Sequence, residues 1–131
     1  MSVTVKYLTG KMFAAKCGNR HILIDQPQEK GGFNSGLTPT EHFIISMASC
    51  IATYVQSYCE TGELDCHGMS VDATWEMETK PTKISKIDFS IHLPKADLGK
   101  KKAAVLKTAD KCAIKKALKE PPEITISLKE E

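Results

Sequence analysis

The spacing of apolar residues changes character several times along this chain, and each change marks an element. "VTVKYL" and "KMFAAKC" are short strand-like runs parted by Thr9-Gly10, which predicts a hairpin. Gly18-Asn19 can turn the chain again, and "HILID" then reads as a third strand. From Gln26 to Leu37 the pattern lapses. Pro27, Gly31-Gly32, Asn34 and Gly36 describe a loop. It is long for a compact domain, and long loops are commonly functional.

Thr38-Pro39-Thr40-Glu41 predicts a helix start, with Thr38 as cap, Pro39 at the first helical position and Glu41 at the capping-box position. The helix should run to Thr61 and stop at Gly62. Its apolar residues form no stripe. Phe43, Ile44, Ile45, Met47, Ile51, Tyr54, Val55 and Tyr58 cover almost the whole circumference. A helix that is apolar all round is buried on all sides, and a second subunit is expected to cover part of it.

Two alternating segments follow, "MSVDATWEMET" and "ISKIDFSIHL", with a turn at Lys80-Pro81-Thr82. Asp97 to Glu120 reads as one second helix, with Leu98, Val105, Leu106, Ala109, Ala113 and Ala117 on its apolar face. Pro121-Pro122 ends it, and "EITISL" reads as a closing strand. The order βββ-α-ββ-α-β has no regular strand–helix alternation, so the expected class is α+β with antiparallel sheet. We expect one domain over residues 1–131.

A net charge of +2 gives no reason to expect nucleic acid as a partner. The longest apolar stretch, Phe43 to Val55, is shorter than the roughly 20 residues a bilayer requires. The first dozen residues alternate like a strand and lack the apolar core of a signal peptide. The expectation is a cytoplasmic protein with no membrane partner. Nine lysines between Lys95 and Lys119 read as a solvated helix face, since no aromatic residues interleave with them.

The five cysteines, Cys17, Cys50, Cys59, Cys66 and Cys112, are odd in number and irregular in spacing. They argue against a structural disulfide framework, so any disulfide should be transient and chemical. Metal is not expected either. The four histidines are scattered, and the nearest cluster, Cys59 with Cys66-His67, would place adjacent residues on opposite faces of a strand. Cys50, inside the buried helix, reads first as a small hydrophobe. Cys112 lies six residues beyond Leu106, about 240° around the second helix. That puts it at the edge of the apolar stripe, where a thiol can face another element.

Taken together, "DQPQEKGGFNSGLTPTEHFIISMASC", the central strand pair and "DKCAIKKALKEPPEITISL" resemble the OsmC/Ohr family, the osmotically inducible and organic hydroperoxide resistance proteins. The resemblance spans essentially the whole chain and is closest to the broader OsmC-like branch. It implies an intertwined homodimer with antiparallel sheet packed around a long buried central helix. It also implies a thiol peroxidase acting on organic hydroperoxides without metal, flavin or other cofactor. By residue, it places Cys50 in the peroxidatic role and Cys112 in the resolving role, with a dithiol or lipoyl-type reductant. Arg20 is the candidate for the family's thiolate-stabilising arginine, and Glu41 for the acid that holds it.

A peroxidatic thiol needs donors or a positive neighbour, because apolar burial alone raises its pKa. Cys50 lies midway along its own helix, beyond the reach of that helix's dipole. A cation from another element is therefore expected, and Arg20 keeps its charge on burial. Glu41 and Cys50 stand nine residues apart, about 13.5 Å of rise and half a turn out of phase. Glu41 could serve a Cys50 thiol only from the partner subunit. The alternatives are a non-catalytic OsmC-like dimer holding an apolar small molecule at its interface, or a purely structural dimer module.

Overall fold

A computed structural model of the chain describes residues 1–130. They form an α+β protein whose two sheets are both antiparallel. The chain falls into two compact units, Met1–Ile45 and a second beginning at Ser46.

In the first unit, β1 (Thr4–Thr9), β2 (Met12–Cys17) and β3 (Arg20–Ile24) pair in sequence order. The register sets Val5 beside Ala15 and Ala15 beside Ile22, with Tyr7, Phe13 and Ile24 as the next row. Side chains two apart on a strand share a face. These rows therefore make one apolar face, on which the Tyr7 and Phe13 rings meet edge-on at 5.5 Å.

The loop after β3 is organised by one residue that the sequence pattern does not single out, Asp25. It is fully buried. Its carboxylate accepts the amides of Gln26 at 2.8 Å and of Phe33 and Ser35 at 3.1 Å. Burial alone would raise the carboxyl's pKa, but these bonds and one from the Ser35 side chain hold it below its ordinary value. The path is tight at Gly32, where a Cβ would sit 1.9 Å from the Gln26 carbonyl oxygen. The loop returns to β3 through a parallel bridge of Ile24 with Leu37.

Helix α1 (Pro39–Thr61) has the expected bounds. The capping box is formed: the Thr38 amide donates to Glu41 Oε1 at 2.8 Å, and the Glu41 amide to Thr38 Oγ1 at 3.2 Å. At the far end Glu63 takes a left-handed conformation (φ 56°), and the Leu64 amide reaches back to the Cys59 carbonyl at 2.8 Å. This six-to-one bond closes a Schellman-type cap. The Lys101 ammonium donates to the Gly62 carbonyl at 2.7 Å, so one lysine of the basic run satisfies a helix C-terminus. Buried residues of α1 recur as Ile44, Met47, Ile51, Val55 and Cys59, whereas Ile45 is exposed.

In the second unit, β4 (Ser70–Thr79) and β5 (Thr82–His92) form a hairpin with a bulge between Glu76 and Met77. Two sequence expectations are corrected beyond it. The second helix is not continuous: α2 (Lys102–Ala109) ends, and α3 (Ala113–Lys119) starts afresh. Aspartate is a poor helix-interior residue, and here the Asp110 carboxylate pairs with Lys115 across the break. Cys112 is extended (φ −47°, ψ 124°) and is the N-cap residue of α3. The closing strand is also absent. Residues 121–130 have no regular structure, and Ile124, Ile126 and Leu128 are 76%, 96% and 89% exposed. "EITISL" has the alternation of a strand, but a strand also needs neighbouring backbone to take its hydrogen bonds.

Candidate active site

Cys50 and Cys112 meet in the second unit. Cys50 is half-buried in the middle of α1, and Cys112 is fully buried at the break between α2 and α3. The expectation that Cys112 sits at the edge of a continuous helix stripe is thus corrected: the break turns it inward. Both are free thiols. The Cys112 thiol donates to Cys50, and its Sγ lies 4.0 Å from the Met47 carbonyl oxygen, a second acceptor for the same proton.

The two thiols are driven in opposite directions. Burial pushes Cys50 up, but the Cys112 thiol and the amides of Ile114 and Ala113 all donate to its sulfur, and the net effect is a pKa below the ordinary thiol value. For Cys112, burial dominates. Amides of Lys115 and Ile114 offset part of it, while the bond to Cys50 and the charge that Cys50 carries as thiolate raise it further. The arrangement sets a thiol of lowered pKa beside one of raised pKa. Such a pair can supply a nucleophile from the first and a proton from the second.

Two of the donors to Cys50 are amides from the first turn of α3, a source the sequence did not reveal. Residues 98–120 contain Gly99 but no proline and, beyond it, no glycine to announce a second helix start, so nothing in the sequence points to amides reaching mid-α1. Arg20 and Glu41 lie in the first unit. Arg20 opens β3, is exposed, and places Nη2 3.8 Å from Cys17 Sγ. It borders a groove of about 320 Å³ walled by Val3, Ala15 and Ile22. The Glu41 carboxylate is held by the Thr38 amide and hydroxyl, and these bonds, outweighing its partial burial, keep its pKa below the ordinary carboxyl value. Among the described residues no group of three or more His, Cys, Asp or Glu could hold a metal ion. Among them, too, no helix is long and apolar enough to cross a membrane.

The OsmC-like protein family profile matches residues 32–127. The chain belongs to this family. A sequence comparison with curated proteins finds no match.

Solved structures share the fold. One is a Psychrobacter arcticus protein named for osmotic stress induction and a detoxification response. It superposes with a TM-score of 0.82 at 24% identity, over 89% of this chain and 87% of that one. An OsmC-like protein of Mycoplasma pneumoniae gives 0.73 at 15% identity, over 92% and 87%. An organic hydroperoxide resistance protein of Legionella pneumophila gives 0.66 at 16% identity, over 90% and 89%.

Proposed function

We propose that this protein is a homodimeric thiol peroxidase that reduces organic hydroperoxides through Cys50 and Cys112, in defence against oxidative or osmotic stress. The observation that carries the reading is the convergence on Cys50 of the Cys112 thiol and the Ala113 and Ile114 amides at the start of α3, which lower the pKa of Cys50 while burial raises that of Cys112. The Cys50 thiolate attacks the terminal oxygen of the hydroperoxide, the O–O bond breaks, and the alkoxide takes a proton to leave as alcohol. Cys50 is then a sulfenic acid, which condenses with the Cys112 thiol to a disulfide and releases water. A dithiol, of lipoyl type by family resemblance, returns two electrons and two protons. By family resemblance Arg20 adds a permanent positive charge near the thiolate, and Glu41, reaching the site from the partner subunit, holds it.

The test is to count free thiols before and after cumene hydroperoxide. The wild-type chain is expected to lose two thiols rapidly, Cys50→Ser none, and Cys112→Ser to stop at a sulfenic acid that dimedone traps. Arg20→Ala is expected to remain folded and to react at least about tenfold more slowly, roughly 1.4 kcal/mol of transition-state stabilisation. A native Cys50 inert to peroxide would return the protein to the reading of a non-catalytic binding dimer.

A further inference from the structure

The proposed peroxidase chemistry uses two of the five cysteines. A second pair lies at the C-terminal end of α1. Cys59 is fully buried, and Cys66, seven residues later, is half-buried. The chain between them folds back on the helix through the left-handed Glu63 and the bond from the Leu64 amide to the Cys59 carbonyl. Two residues beyond that bond, Cys66 is fixed in a turn of its own. Asp65 accepts the His67 amide at 2.9 Å and pairs with the His67 ring at 2.7 Å, and the Met69 amide donates to the Cys66 carbonyl at 3.0 Å. The two thiols lie within electrostatic range: burial pushes the Cys59 pKa up, and the charge on Cys66 pushes it further.

We infer that Cys59 and Cys66 form a second dithiol, which a low-molecular-weight disulfide of the glutathione type oxidises to an intrachain disulfide. Cys66, the more accessible sulfur, loses its proton and attacks the small disulfide, whose S–S bond breaks as the mixed disulfide forms and one small thiolate leaves. Cys59 then loses its proton and attacks the Cys66 sulfur, and the second small thiolate leaves. The two leaving groups take up the two protons. In sum, two protein thiols are oxidised to one disulfide and one small disulfide is reduced to two thiols. Closure requires Cα atoms within about 7 Å, with cysteines directed at each other. Between the two cysteines the αL residue Glu63 and the bond from the Leu64 amide to the Cys59 carbonyl reverse the chain. The disulfide would staple the end of α1 to the segment leading into β4. It takes no part in the peroxide cycle.

The experiment uses the full chain with Cys50→Ser and Cys112→Ser, so that failure of the peroxidase reading cannot affect it. The protein is equilibrated with rising ratios of oxidised to reduced glutathione, quenched by alkylation under denaturing conditions, and cut after glutamate. Cleavage at Glu60 and Glu63 separates Cys59 from Cys66. The expected result is that these two peptides stay joined until reduced, and that both thiols vanish together. Adding Cys66→Ser should leave Cys59 fully alkylated. If circular dichroism shows that the double variant does not fold, fragmentation of the same joined peptides from wild-type protein locates the bridge. Cys59 remaining alkylatable after Cys66 has been consumed, including a Cys66–glutathione adduct that goes no further, overturns the proposal.

Discussion

At Cys50, donors from the Cys112 thiol and the first amides of α3 converge on one sulfur, and their combined effect exceeds the cost of partial burial. The thiolate fraction rises as pH passes through the thiol's pKa, so a depressed value makes Cys50 reactive at lower pH than an ordinary thiol. Cys112→Ala removes one donor. The half-point of Cys50 alkylation against pH should then move upward, toward the ordinary value, and an unmoved half-point would assign the activation to the amides alone. Asp25 supplies a second titration. Its pKa in the folded chain lies below the ordinary 3.8, so the stability it contributes is complete above that pH and is lost as pH falls through the lower, folded value. Urea midpoints followed from about pH 6 to about pH 2 should show this loss in wild type and a flatter acid limb in Asp25→Asn. Cys50 could be singled out only through the family resemblance, since a cysteine inside an apolar helix reads by itself as a small hydrophobe. Asp25 could not. Its partners lie eight and ten residues onward, and only the path of the loop brings them back.

Among the elements, α1 was legible at both ends because its signals are local: Thr38, Pro39 and Glu41 open it, and Gly62 follows its last residue. Since the Glu41 carboxylate closes the capping box, Glu41→Ala should lower stability by about 1 kcal/mol, measurable by urea unfolding. A loss near zero would mean that water replaces the carboxylate without penalty. The break between α2 and α3 was illegible for the opposite reason. Asp110 and Cys112 are compatible with a continuous helix, and only the pairing with Lys115 and the inward turn of Cys112 separate the two segments. Periodicity likewise marked "EITISL" as strand-like but carried no information about what would pair with it.

For the whole molecule, the central question is where the exposed apolar surface goes. Val5, Tyr7, Phe13 and Ile22 are all exposed on the same face of the three-stranded sheet, and Ile45 is exposed on α1. Scattered exposed apolar residues are ordinary, but a contiguous sheet face is not. The proposed dimer gives this face a partner. Sedimentation on dilution should therefore show folded dimer giving way to unfolded chain, and a compact folded monomer at nanomolar concentration would exclude an obligate dimer. The sequence raises the expectation of a partner through the nearly complete apolar circumference of α1. It did not single out the sheet face, because apolar and polar residues alternate along β1 as in any half-covered strand.

The Asp25 loop also has an engineering consequence. Its amide contacts fall at Gln26, Phe33 and Ser35, and its tightest packing at Gly32 and Gly36. The exposed turn at Gln28–Lys30 lies between these anchors and carries none of them. Extra residues spliced in at Glu29–Lys30 lengthen a tip whose ends are already held, and doubling the length of a flexible loop costs only about 0.6 kcal/mol. This makes the tip a natural port for an epitope tag or a fluorophore, and the same insertion a few residues later would displace the carboxylate's ligands.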